Sequence, residues 1–261
     1  MAYMKIMNFN GKQNIALLNS LSEILVRHDF LFIGVDKSRT DIATWEKKLT
    51  PTLSATMMVT LSSTLSPDLW SIEPLIILYS SFAAEKSNYL GLDRDCSPVT
   101  DRWIEPDSVP IMRLFPAHYR WQDKLEIKYP VLEGRPDNLA FLAQEFSDVY
   151  DEYALPVLTN FSNSLSAAEF LLTSSSLYKT RRLSTVRPRY DLLREPIYAA
   201  ILFLEAGEFQ RSLDLLKRWD TCEEMFDPSF TAQYKRSLVC QIKKLIPYFE
   251  SQLSKRSVRS P

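Results

Sequence analysis

Two carboxylates stand at alternate positions in "GLDRDC", Asp93 and Asp95, and four more crowd "EFSDVYDEY", Glu145, Asp148, Asp151 and Glu152. On an extended loop, Asp93 and Asp95 can face one way and hold a divalent ion through their oxygens. The pair lacks the further ligands of a calcium loop, so a solvated turn explains it better. The second group sits in a helical pattern. Glu145, Asp148 and Glu152 recur at i, i+3 and i+7, a spacing that shares one helix face. These residues and Asp151 read first as an ordinary solvated helix face; the functional alternative is an acidic strip, Glu145, Asp148, Asp151 and Glu152, that meets a basic protein partner and steers its approach.

The other chemical residues are sparse. The chain has two histidines, His28 and His118, far apart in sequence, so neither an HxxH nor an HExxH pattern exists. The cysteines are Cys96, Cys222 and Cys240. Their odd number, wide spacing and lack of a CxxC pair argue against a disulfide framework or a zinc knuckle. A thiol–imidazole pair between Cys96 and His118 has no support in the spacing. The five glycines, Gly11, Gly34, Gly91, Gly134 and Gly207, are never clustered. A phosphate-cradling loop needs clustered Gly so that backbone can approach phosphate, which excludes a Rossmann fingerprint and a P-loop. No cofactor is expected.

Charge adds little attraction for polyanions. There are 31 Lys and Arg against 32 Asp and Glu, a net charge of −1. A basic stretch of Lys179, Arg181, Arg182, Arg187 and Arg189 can contact phosphates, but only Tyr178 and Tyr190 flank it for base stacking. Nucleic acid is therefore not expected as a partner. The N-terminus "MAYMKIMNFNGKQN" lacks a signal-peptide core, and the apolar run "PLIILY" is far short of a membrane span. A cytoplasmic protein that avoids membranes is the expectation. Trp45, Trp70, Trp103, Trp121 and Trp219, with Tyr79, Phe82, Tyr89 and Tyr119, either fill a core or line a recognition groove.

The elements that must position these groups follow from periodicity. Ile15, Leu18, Leu21 and Leu25 share one face of a helix from about Lys12 to Arg27, ended by "HDF". "FLFIGVD" predicts a strand with Phe30, Phe32 and Gly34 on one side. "DIATWEKKL" predicts another. "SATMMVTLSST" alternates Ala55, Met57, Val59 and Leu61 against Ser54, Thr56, Thr60 and Ser62, with Met58 as the exception, which predicts a half-buried antiparallel strand. "EPLIILYSSFAA" predicts a fourth strand beginning after Pro74, and "SVPIMRLFP" a fifth. The period then changes. A helix is predicted from about Pro136 to Tyr153, with Pro156 opening the next turn. "SAAEFLLTSS" predicts a further helix, with Ser166 as its cap and Glu169 three residues on. "SLYKTRRLSTVRPRYD" reads as a linker, and a last long helix runs from about Phe230 to Leu253.

The expected class is α+β. An antiparallel sheet of about five strands carries an N-terminal helix, and a helical C-terminal half follows. A soft boundary falls near Gly134, giving regions 1–134 and 135–261 packed as one unit. Within the second region, "YAAILFLEAGEFQRSLDLLKRW" outlines a tetratricopeptide-like hairpin, with Gly207 ending its first helix. No second copy accompanies it, so an array is not expected.

The order of "HDFLFIG", "TWEKKL", "SATMMVTLSST", "EPLIILYSSF", "RWIEP" and "ALPVLTNFSNSLSAAEFLL" resembles a loose group of bacterial α+β proteins, some encoded among polymorphic-toxin immunity genes. The resemblance spans Asn14 to Trp219 and carries over no site residues. It implies a non-enzymatic protein that neutralises a cognate toxin. An enzyme with an unrecognised carboxylate site and a helical-hairpin adaptor are the alternatives.

Overall fold

The computed structural model describes residues 12–36, 41–63, 70–90, 108–114, 132–134, 139–180, 195–221 and 232–257. Helix α1 runs Lys12–Arg27 as predicted, but its buried face is Leu17, Leu21, Ile24 and Leu25; of the expected stripe Ile15 is exposed and Leu18 half-buried. Strands β1 (Leu31–Val35), β2 (Ile42–Lys48), β3 (Leu53–Ser63), β4 (Trp70–Ser80) and β5 (Val109–Leu114) follow in sheet order. A short sixth strand, β6 (Leu132–Gly134), pairs antiparallel with the start of β4. The helical half comprises α3 (Leu139–Val149), α4 (Leu155–Thr159), α5 (Ser164–Thr180), α6 (Glu195–Glu205), α7 (Phe209–Thr221) and α8 (Ala232–Ser257). The architecture is α+β: an N-terminal helix, an antiparallel sheet, then mostly helix.

Several local expectations are corrected. β3 is buried on both faces: Ala55, Met57 and Val59 are sealed, and Thr56 and Met58 on the opposite face are buried too. It lies inside the sheet, between β2 and β4. β4 begins at Trp70, before Pro74. The β6 ladder ends at Ile72, so the missing N–H of Pro74 breaks no bond to β6. "SFAA" is not strand. It opens helix α2 (Ser81–Tyr89), because buried Ser80 accepts the Ala83 amide at 3.0 Å as an N-cap. The cap of α5 is Asn163, whose Oδ1 accepts the Ser166 amide at 2.8 Å. Ser166 lies within the helix.

The chain divides into two compact units, each made of two segments. One holds Met1–Leu78 and Arg113–Thr159, the other Tyr79–Met112 and Asn160–Pro261. In the first, α1 packs on α3 and on β1, and α3 packs on β6. Trp45 is fully buried there, and its Nε1 donates to Ser22 Oγ at 3.2 Å, tying β2 to α1. In the second, α5 packs on α6, α6 on α7, α7 on α8, and α2 on α6. Gly207 takes φ 85° and ends α6 as expected, with Glu208 N–H donating to Phe203 O and Gly207 N–H to Leu204 O. Ile242 and Leu245 of α8 are buried. Among the described residues, no helix is long and apolar enough to cross a membrane.

Candidate functional site

The most unusual local chemistry lies within the first unit, where α1 ends. Its last turn closes by the same double bond as α6. Phe30 N–H donates to Leu25 O and Asp29 N–H to Val26 O, each at 3.0 Å. Here the residue that must take the left-handed conformation is Asp29, at φ 63°, with no Gly to ease it. Asp tolerates that region better than most L residues, which is why "HDF" can stop a helix.

The end of α1 carries exposed carbonyls and the negative pole of the helix. β2 delivers a cation to it. The register sets Leu31 opposite Glu46 and Phe32 opposite Trp45. Lys47, the next residue along, donates from Nζ to His28 O at 2.8 Å and lies 3.4 Å from Asp29 Oδ2. The same ammonium lies 6.0 Å from the Phe30 ring centroid.

The other wall is the helix that carries the acidic residues. α3 does not continue as α-helix to Tyr153. Tyr150–Ala154 form a π-helical turn, in which Leu155 N–H reaches back to Tyr150 O. A tight α turn would press the Pro156 ring against the carbonyl of residue 152, and Pro156 has no N–H to donate. The wider turn relieves that crowding and lets the helix run on as α4. Inside the turn, Tyr150 is fully buried, with its ring centroid 4.4 Å from that of His28 and 6.2 Å from that of Phe30. Its hydroxyl has no hydrogen-bond partner among the described residues. Burial, and then the carboxylates of Asp151 and Asp29, push the phenol above its ordinary range, so Tyr150 stays neutral.

Asp151 completes the group. Its Oδ1 lies 3.3 Å from His28 Nε2, with side-chain exposures of 54% and 23%. The carboxylate faces the edge of the imidazole. Asp29 projects further, at 87% side-chain exposure. Together these residues form a fixed acidic rim over a buried aromatic floor. Among the described residues, no three His, Cys, Asp or Glu side chains converge as a metal site.

The expected acidic stripe is placed differently from its i, i+3, i+7 reading. Glu145 is half-buried, and exposed Asp148 accepts from Gln144 Nε2 at 2.7 Å. The π turn then changes the angular step, so Glu152 does not fall on a straight α-helical line with them. Asp151 is drawn to His28, and Glu152 is exposed. Asp93, Asp95, Cys96, His118 and the basic residues from Arg181 to Arg189 lie outside the described residues; Lys179 belongs to α5. The partnership of His28, Asp29, Lys47 and Tyr150 was not read from sequence. The local signals are a helix stop at "HDF" with no Gly in it and the place of His28 at that helix C-terminus.

No family model, no curated protein and no solved structure matches the chain.

Proposed function

We propose that this protein is a non-enzymatic binding protein that holds another protein, in its concrete form a cytoplasmic bacterial immunity or inhibitor protein that neutralises a cognate toxin. The observation that carries this reading is the rim at the end of α1. Asp29 and Asp151 stand exposed, while Schellman closure, Lys47 and the π turn fix the backbone beneath them. A rigid, preformed charged surface loses little conformational entropy on binding and steers an oppositely charged partner. Glu145, Asp148, Asp151 and Glu152 are the partner-contacting acids in this reading. A nuclease fits as the neutralised protein, because its phosphate-binding site is cationic and acids compete for it. No cofactor, nucleic acid or membrane takes part.

The test is capture of partners from the native host on the tagged chain, followed by titration of the purified partner. Charge reversal by Asp148→Lys with Glu152→Lys is expected to weaken that partner by at least about tenfold, which is about 1.4 kcal/mol. Unchanged affinity would remove these acids from the interface. Absence of any stoichiometric partner would remove the function.

A further inference from the structure

We propose that Tyr89 and Tyr248 form an oxidative modification site, at which a peroxide-driven one-electron oxidant joins the two phenols into dityrosine. The site is independent of the protein-binding reading above. Both residues lie in the second unit, Tyr89 in its first segment and Tyr248 in its second. Their ring centroids are 5.7 Å apart and the ring planes tilt by 56°. Tyr89 is 74% exposed and Tyr248 is half-buried, so an oxidant in solvent reaches the pair. A ring so exposed buries little apolar area, and the contact adds little to the core. Tyr150, by contrast, is sealed in the interior and out of an oxidant's reach.

Two anchored helices hold the rings together. Tyr89 is the last residue of α2, whose start is fixed by the Ser80 cap and whose inner face buries Ala83, Ala84 and Ser87. The end of α2 is closed by Leu90 N–H, which donates to Lys86 O at 3.0 Å. Tyr248 lies on α8 between sealed Leu245 and Phe249. α2 packs on α6, α6 on α7 and α7 on α8, so both helices belong to one packed stack. The backbones are therefore set, while the exposed Tyr89 side chain can turn within nanoseconds to bring the ring edges together. Tyr248 also touches Phe249, with centroids 5.8 Å apart. A benzene ring without a hydroxyl does not yield an electron to such an oxidant, so the radical is not passed inward through Phe249.

The chemistry balances as follows. Each phenol gives up one electron and its hydroxyl proton, leaving a phenoxyl radical whose spin is shared between the oxygen and the ring carbons ortho to it. A carbon–carbon bond forms between one ortho carbon of each ring. The hydrogens at those carbons then move to the oxygens as the rings regain aromaticity. The pair loses two electrons and two protons in all. One hydrogen peroxide, acting through a peroxidase, takes them up and leaves as two waters. The new bond joins residue 89 to residue 248 across Arg113–Thr159, which belongs to the other unit. It closes a long loop in the unfolded chain, and so stabilises the folded unit as a disulfide of that span does.

The test treats the dilute full chain with peroxidase and hydrogen peroxide, its exposed Cys240 thiol alkylated so that it does not quench the radicals. The expected product runs as a monomer on a denaturing gel, is lighter by two hydrogens and shows dityrosine fluorescence. Trypsin is expected to release Ser87–Arg94 linked to Leu245–Lys255. Tyr89→Phe and Tyr248→Phe keep both rings, and each is expected to abolish that linked pair with circular dichroism unchanged. Oxidation in urea is expected to abolish it too, because unfolding separates the rings. The linked monomer is expected to unfold at a higher urea concentration than the untreated chain. Failure to recover the linked peptides from oxidised protein, or their equal yield in urea, would overturn the site. So would monomer fluorescence that neither Phe variant lowers, or a covalent dimer, intact in Tyr248→Phe, that forms in place of the linked monomer. An unchanged urea midpoint of the linked monomer would overturn the stabilising role of the bond.

Discussion

The imidazole of His28, at the last turn of the first helix, sits 3.3 Å from the carboxylate of Asp151, on a π-helical turn more than a hundred residues later in the chain. The contact joins a helix terminus to an irregular turn, and both partners remain partly open to solvent. A half-exposed pair of this kind contributes little to folding, because solvent screens it and ordering the side chains costs entropy. Asp151→Asn is therefore expected to shift unfolding free energy by less than about 1 kcal/mol. The same substitution removes a rim charge, so the proposed partner is expected to associate more slowly, with a weaker salt dependence. Urea titration and stopped-flow association measured on one preparation separate the two effects.

Tyr150 supplies a pH prediction. The folded phenol keeps its proton to higher pH than the unfolded one, whose pKa is about 10. Above that pH the unfolded chain loses the proton and the folded chain retains it. Stability therefore falls as pH rises, by linkage. Tyr150→Phe is expected to flatten that part of the alkaline limb. At neutral pH it is expected to stabilise by about 1 kcal/mol, since it removes a buried hydroxyl without a partner among the described residues. Urea midpoints from about pH 8 to pH 11 read both effects. A steeper alkaline fall in the Phe variant would contradict them.

The two helix ends built alike make a matched pair of substitutions. Asp29 and Gly207 occupy the same position of the same motif, at φ 63° and 85°. Asp29→Val is expected to destabilise by about 1–2 kcal/mol, because a β-branched residue is strained there. Asp29→Gly is expected to be neutral or slightly stabilising. Gly207→Ala is expected to cost about 1 kcal/mol. Denaturant unfolding of the three variants ranks them, and a destabilising Asp29→Gly would show that the carboxylate outweighs the backbone cost.

Ser212 tests the hairpin. It is fully buried, and its Oγ donates to the Ala200 carbonyl across the α6–α7 contact. Small residues at this crossing let the helices approach closely. Ser212→Ala is expected to cost about 1 kcal/mol from the lost hydrogen bond. Ser212→Val is expected to cost about 1–3 kcal/mol by overfilling the crossing. If both variants unfold at the parental temperature in calorimetry, the crossing is looser than its packing implies.

Much of the fold was legible because period and punctuation agree over long segments. The helical period from Ile15 to Leu25 placed α1, though its buried face is turned toward Leu17 and Ile24, and Gly207 placed the end of α6. The misreadings share a cause, which is that apolar runs do not declare their period when both sides are buried. β3 is one case. At the end of β4, Ser80 turns the chain into a helix by accepting one amide, a signal hidden by the apolar residues around it. The candidate site was less legible still. Its acids were visible, but their arrangement depends on a π turn that α-helical spacing cannot represent. "FLFIG" reads as strand with Phe30 and Phe32 on one side, yet Phe30 is buried and precedes β1, while Leu31, Phe32 and Ile33 are exposed.

The division of the chain into interleaved segments has a consequence for its synthesis. The ribosome releases the first unit in two instalments, because Arg113–Thr159 emerges only after Tyr79–Met112 of the other unit. A nascent chain halted after Gly134 would carry α1 and β1 through β6 without Leu139–Thr159, leaving the α1 face that packs on α3 uncovered. Vectorial folding cannot finish one unit before the next begins, and neither can be expressed alone by cutting the gene once. Their maturation is therefore a late event, timed by the translation of residues 139–159 and of the C-terminal helices.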